Sequence, residues 1–230
     1  MAWLTTIFLI NFGAVSRTTI DETYVEPIRE FFARHGLMIA CLLLAIIGLY
    51  RIADIVLGVV SNVFYQDLGY SKGEIATAVK TFGLFMTIAG GFLGGILSLR
   101  FGVLKVLLWG AILAAATNLL FMLLAQVGYD LQLLYVVVAA DNLSAGLASA
   151  AFVAFLSSLT NVSFTAMQYA LFSSLMTLLP KVLGGYSGTI VDSVGYSNFF
   201  AVSALLGAPV IVLIAVTAGK FQLAPPPNRE

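Results

Sequence analysis

Cysteine and histidine each occur once in this sequence, as Cys41 and His35, and charged side chains make up only 10% of its 230 residues. A lone cysteine in an apolar run cannot form an internal disulfide. Without a second histidine or a cysteine cluster, neither a zinc site nor the common nucleophile triads have the residues to form. No convergent set of nucleophile, base and metal ligand can be assembled, so the chain does not read as an enzyme and implies no cofactor. Eleven basic and eleven acidic residues balance to zero net charge, which gives no electrostatic reason to expect nucleic acid as a partner.

What fills the sequence instead is apolar: 60% of residues are hydrophobic and the mean hydropathy is +1.02, where a soluble domain carries about 25% charged residues. A water-soluble fold must still cover its exterior with polar groups, and there are too few here to do so. The solvent for most of this surface is lipid. A bilayer core of roughly 30 Å takes about 20 apolar residues in helical form. Six runs of that kind are bounded by charge, glycine or proline: Leu37 to Tyr65, Glu74 to Leu99, Val103 to Gln126, Leu131 to Leu159, Thr165 to Val191 and Asn198 to Gly219. They are expected to be helical because a lipid-exposed backbone must satisfy its own hydrogen bonds. The short alternating segments of a membrane β-barrel do not occur. The predicted fold is an all-α membrane protein, a six-helix bundle.

The chain therefore divides into a short apolar segment plus a charged cytoplasmic loop over 1–36, a six-helix transmembrane bundle over 37–219 and a cytoplasmic tail over 220–230. Met1 to Val15 is apolar but short for a span and has no basic residue before its apolar core, so it reads as the remnant of a preceding helix or an interfacial segment rather than a signal peptide. Arg17, Asp21, Glu22, Glu26, Arg29, Glu30 and Arg34 follow as an aqueous loop or surface helix. Alternation of the spans puts Arg17, Arg29, Arg34, Arg100, Lys105, Lys220 and Arg229 on one side and Lys72 alone on the other, so both termini are expected in the cytoplasm. The tail around Pro225 to Pro227 reads as extended.

Ionisable side chains inside a membrane helix cost roughly 2.5 to 3.5 kcal/mol each. Arg51 and Asp54 in the first span, Lys80 in the second, Asp141 in the fourth and Lys181 in the fifth each call for a reason. At helical spacing Arg51, Asp54, Gly58, Asn62 and Tyr65 fall on one stripe of the first span. In the second, Lys80, Gly83, Thr87, Gly91, Gly94 and Ser98 share a face, and Gly90/Gly94 and Gly91/Gly95 permit close helix approach. Asp141, Ser144 and Ala148 lie together in the fourth. Ser174, Thr177, Lys181, Gly184, Gly188 and Asp192 align in the fifth, with Pro180 kinking the helix before the lysine. Plainer readings stand beside these: Arg51 and Asp54 can neutralise each other at i,i+3, Lys80 can snorkel to the interface, and the glycine stripes are packing devices. Asn142-Leu143-Ser144 and Asn161-Val162-Ser163 match the glycosylation pattern by chance, one inside a span and the other in a cytoplasmic loop.

The segments 49–58 (LYRIADIVLG), 140–146 (ADNLSAG) and 157–173 (SSLTNVSFTAMQYALFS) resemble the C-terminal half of AmpG-type muropeptide permeases, and the resemblance runs from Glu26 to Gly219. The acetyl-CoA transporter family is a more distant match. AmpG-type permeases belong to the major facilitator superfamily, so the resemblance implies one half of a twelve-helix transporter of the bacterial inner membrane that takes up anhydromuropeptides with protons. It also implies that the first and fourth helices of the half line a central cavity while the third and sixth face outward. Of the superfamily's loop motif, Gly95, Arg100, Gly102 and Lys105 are kept, but Leu99 stands at the acidic position.

On this reading the substrate and proton pathway comprises Arg51, Asp54, Asn62, Lys80, Asp141 and Lys181. The three cations bias the half-cavity toward a small anionic solute. Asp54 has Arg51 to partner its charge, whereas Asp141 has no cation in its own helix, which makes Asp141 the expected proton carrier. Six helices cannot form a two-sided cavity, so the expected partners are the lipid bilayer, solute, protons and an N-terminal six-helix half or a second copy. The alternative is a non-transporting membrane subunit or an inactive transporter fragment.

Overall fold

A computed structural model describes residues 21–223. Met1 to Val15, Arg17, Arg229 and the proline tail, on which parts of the sequence reading rest, lie outside the described residues. The charged stretch before the first span is a helix, α1 (Glu26–His35), with Pro27 in its first turn and Arg34 and His35 in its last, both favoured by the helix dipole and the proline's missing N–H. Six segments are long and apolar enough to cross a membrane. The first four are α2 (Leu37–Asp67), α3 (Lys72–Phe101), α4 (Val103–Val127) and α5 (Leu131–Leu159). α6 (Thr165–Gly184) follows a single 3-10 turn, Val162–Phe164.

The helix ends follow from local chemistry. Ser71 and Glu74 form a reciprocal capping box at the start of α3, and the Asp130 carboxylate accepts from the Leu133 amide at 2.9 Å to cap α5. The chain is helical again from Ser187 to Leu223, except at Gly195, whose φ of 77° and ψ of 165° suit only glycine. Contacts show that the chain reverses there. Ser187 Oγ donates to the Val56 carbonyl, and the Tyr196 hydroxyl donates to Asp67, so residues 187–196 run parallel to α2. Beyond the glycine, Ser197 meets Gln126, and Gly207 packs on Ala115, so the chain now runs antiparallel to α4. We therefore distinguish α7 (residues 187–194), which completes the fifth crossing, from α8 (residues 196–223), which makes the sixth. The spans expected at Thr165 to Val191 and Asn198 to Gly219 correspond to these crossings.

Two local departures from ideal helix change the predicted faces. The opening turns of α3, Ala76–Phe82, are π-helical, and Thr81 Oγ1 accordingly donates to a carbonyl five residues back, that of Ala76. A π turn advances fewer degrees per residue than an α turn, so Lys80 is turned away from the stripe assigned to it. Gly83, Gly90, Gly94 and Ser98 are buried while Lys80 is exposed. In the fifth crossing the helix passes through Pro180 and is interrupted at Gly185 and Tyr186, so Gly188 and Asp192 belong to α7 and do not continue the face of α6.

The largest interface is α3 on α5. A Cβ at Gly90 would collide with the Leu143 carbonyl oxygen, one at Gly94 would lie 2.6 Å from the Leu147 carbonyl oxygen, and one at Gly146 would collide with the Thr87 carbonyl. These glycines let the two backbones touch, which is how helices gain packing energy where lipid offers no hydrophobic drive. Gly91 and Gly95 meet nothing within 4 Å and instead lie among Ile88, Phe92, Ile96 and Leu99 on an open apolar face. Phe92 is 71% and Leu99 91% exposed on the bundle exterior, as a lipid-facing surface requires. Inside, Phe64 of α2, Phe121 of α4 and Phe200 of α8 lock three helices together, with ring centroids 4.8 Å (Phe64–Phe200) and 5.3 Å (Phe121–Phe200) apart.

Both ends of the bundle are tied. At one end Arg34 donates to the Leu159 carbonyl, Asn161 donates to Glu30 at 2.7 Å, and buried Gln168 donates to the Pro27 carbonyl at 2.9 Å and to Glu30 at 2.8 Å. Those bonds dock α1 on the α5–α6 turn. At the opposite end Tyr70 donates to the Asp130 carbonyl at 2.8 Å, and Tyr129 donates to Glu74. That bond to a carboxylate raises the Tyr129 phenol above its ordinary 10.0. Arg34, Arg100 and Lys105 share the first end, and Lys72 lies at the other.

Candidate functional site

The interior of α2 bends at Tyr50 and Arg51, where the Arg51 backbone (φ −97°, ψ 10°) leaves helical geometry before Ile52 restarts it. Tyr50 is fixed on both sides of this break: its ring stacks on Phe152 at 4.7 Å, and its hydroxyl donates to the Leu107 carbonyl at 3.1 Å. The guanidinium of Arg51 reaches across the bundle to Ser149 Oγ at 2.9 Å and holds Asp54 at 3.8 Å. Arg51 thus has two partners on two helices.

Arg51 and Asp54 open into a cavity of about 230 Å³ lined further by Leu57, Gly58, Ser61, Tyr65, Val79, Phe121, Asp141, Asn142 and Ala145. Asp141 reaches it from α5 and accepts a hydrogen bond from Thr117 Oγ1 of α4 at 3.3 Å. Asn142, beside it, accepts from Thr87 at 3.0 Å and donates to the Val138 carbonyl at 2.9 Å. One cation, two carboxylates, an amide and a phenol therefore converge in a hollow enclosed by four helices. Such a set can bind an anionic group through Arg51 and hold protons on carboxylates.

Of the residues predicted from sequence, the fold brings Arg51, Asp54 and Asp141 into this cavity. Asn62, Lys80 and Lys181 do not line it and are exposed. Lys181 instead borders an open groove of about 490 Å³ with Ser174, Thr177, Leu178 and Val182. α4 contributes Thr117 and Phe121 to the site, so the third span is not merely peripheral. Tyr65 was legible on the Arg51 stripe. Thr117, Asn142 and Ser149 carried no periodic signal, because a single hydroxyl or amide on an apolar helix identifies no neighbour until the helices are packed. In the retained loop motif, Arg100 lies over the Phe101 ring at 5.3 Å, and Gly102 takes φ 89° to turn α3 into α4.

Six membrane-spanning helices with alternating direction, close-packed through glycine and carrying buried charge, define a polytopic α-helical membrane protein. Residues 42–230 match the family model of the Major Facilitator Superfamily, and the chain belongs to that superfamily. The anhydromuropeptide permease of Escherichia coli K12 is 34% identical over 86% of this chain and 40% of its own length. A Rickettsia conorii protein bearing the AmpG name is 33% identical over 87% of this chain and 48% of its own, and an uncharacterized protein of Haemophilus influenzae is 37% identical over 89% and 51%. The chain spans about half the length of these curated relatives. Its six-helix bundle corresponds to one half of a superfamily transporter.

Proposed function

We propose that this bundle serves as one half of a twelve-helix permease that takes up anhydromuropeptides, or a related anionic solute, together with protons across the bacterial inner membrane. The observation that carries the reading is the enclosure of Arg51, Asp54 and Asp141 in one cavity among α2–α5, in a chain similar to a protein named for anhydromuropeptide transport. Arg51 is the anchor for a solute carboxylate. Asp141, bonded to a hydroxyl rather than to a cation, is the proton carrier. Asn62, Lys80 and Lys181 act from exposed faces that a second six-helix half, or a second copy, would cover. Alternating access needs two bundles moving against each other, which is why a partner half belongs to the proposal. The excess of arginine and lysine at the α1 end among the described residues supports a cytoplasmic location for that end, and with it for both termini.

The test is uptake into vesicles after coexpression with a matching N-terminal half. Asp141→Asn should abolish proton-driven accumulation while leaving solute binding and equilibrium exchange intact. Unchanged proton-driven uptake in that variant would refute the assignment. A second reading is a non-transporting subunit or inactive fragment, favoured by the internal pairing of Arg51 with Asp54 and Ser149; it requires no flux from the wild-type pair of halves.

A further inference from the structure

The fifth crossing carries a lysine that no carboxylate of the bundle answers. Lys181 is exposed, and the ion pairs among the described residues, Arg34 with Glu30 and Arg51 with Asp54, leave it out. It borders an open groove with Ser174, Thr177, Leu178 and Val182. The packed side of α6 is a different one: a Cβ on Gly48 of α2 would meet Leu175 at 3.6 Å and Leu179 at 4.0 Å. Leu179 stands two residues from Lys181, on the opposite side of the helix, whereas Ser174, Thr177 and Lys181 at i, i+3 and i+7 form one outward stripe.

The contacts with α2 also fix the depth of the lysine. Gly48 is level with residues 175–179, and a Cβ on Gly184 would meet Val59 at 3.3 Å and Ile55 at 3.8 Å. The two helices run parallel, so Lys181 stands level with Arg51 and Asp54, in the middle of the Leu37–Asp67 span. That level is about 15 Å from either surface of the hydrocarbon core, beyond the reach of a snorkelling lysine. An ammonium held there turns to protein or water and pairs with an anion rather than facing lipid. The helix around it has the same character: Val162–Gly184 is both the least hydropathic and the least buried of the six candidate spans. By contrast, the open face of α3 around Phe92 and Leu99 is apolar, as lipid requires.

We propose that the Ser174–Thr177–Lys181 face of α6 is a docking surface for a membrane helix of the second six-helix half, and that this helix carries an aspartate or glutamate paired with Lys181. The proposal rests on the two-half reading and adds to it where the halves meet and what the partner supplies. Ser174 and Thr177 are small enough to let a second backbone come close. Charge argues against a second copy of this chain as the occupant. Its carboxylates at this depth, Asp54 and Asp141, line the enclosed cavity, and two copies oriented alike in the membrane would set lysine against lysine on α6.

The N-terminal half of the Escherichia coli K12 permease, coexpressed with the full chain, serves as the probe. A photoreactive benzophenone residue in place of Ser174 should cross-link to that half in membranes. Lys181→Glu should lower the cross-linked fraction by about tenfold or more, since it sets two anions together at mid-membrane, and Lys181→Arg should keep it. Replacing one acidic residue within the spans of the N-terminal half by lysine should restore cross-linking with Lys181→Glu and lower it with the wild-type chain. Thermal midpoints of each variant chain purified alone, expected to match wild type, separate a loss of docking from a loss of folding, and the rescued pair reads the contact even where Lys181→Glu alone is unstable. Equal cross-linking in wild type and Lys181→Glu, cross-linking of position 174 to a second copy or to lipid instead, or the lack of any rescuing acid overturns the proposal. If the halves still co-purify through an affinity tag on one of them, those results leave the two-half reading standing; halves that do not co-purify end both.

Discussion

Gly90 and Gly91 are neighbours in sequence and opposites in the fold. Gly90 is pressed against the Leu143 carbonyl, while a Cβ on Gly91 would enter open space. Gly90→Ala should therefore destabilise the bundle by about 1–3 kcal/mol through overpacking. Gly91→Ala, in a helix that favours alanine over glycine, should be neutral or slightly stabilising. Thermal unfolding in detergent micelles compares the two directly, and equal midpoints would contradict the packing described for α3 and α5. The same contrast shows what sequence could read at this scale. A glycine stripe on α3 was evident, but which of two adjacent glycines faces α5 was not, because Gly90 and Gly91 both flank the stripe through Gly83, Gly94 and Ser98 and only contact with α5 separates them.

At the scale of elements, α1 is held by a small polar network whose central acid is Glu30. Burial works against its charge, but hydrogen bonds from Asn161 and Gln168, with the positive charge of Arg34, outweigh it and bring the Glu30 carboxyl below its ordinary 4.5. A carboxyl lowered on folding contributes stability that is complete above about 4.5 and is lost as pH falls through the folded value. Half-burial lowers His35 below its ordinary 6.5, so a neutral His35 also favours docking from above that value and disfavours it as the ring takes a proton. Both groups act in one direction. Hydrogen exchange of the α1 amides should accelerate as pH is lowered from 7 toward 4, after correction for intrinsic exchange, and Glu30→Gln should remove the more acidic part of that dependence. An α1 equally protected throughout would show that the network does not hold it. Gln168→Ala removes the donor to both Pro27 and Glu30 and should loosen α1 by about 1–3 kcal/mol, seen as faster exchange at neutral pH without loss of the six spans.

For the molecule as a whole, the bundle is closed around its aromatic core but presents polar groups such as Asn62 and Lys181 on exposed faces. Coexpression with a matching N-terminal half should protect these positions from water-soluble thiol reagents when each is replaced singly by cysteine in a Cys41→Ser background, while positions at the Lys72 end remain reactive. Equal labelling with and without the second half would count against a two-half assembly.

The number of spans, their helical character and their alternating direction were all fixed by composition and run length, because a lipid-exposed backbone has few alternatives. The buried charges were also legible, since each ionisable residue in an apolar run stands out against its cost. Which of them meet was decided only by tertiary packing. Arg51, Asp54 and Asp141 converge, whereas Lys80 is rotated away by a π turn and Lys181 sits on an open groove. The partner of Asp141, the Thr117 hydroxyl, became visible only once α4 and α5 were in register. One hydroxyl or amide on a hydrophobic helix has no direction of its own until a neighbouring backbone supplies one.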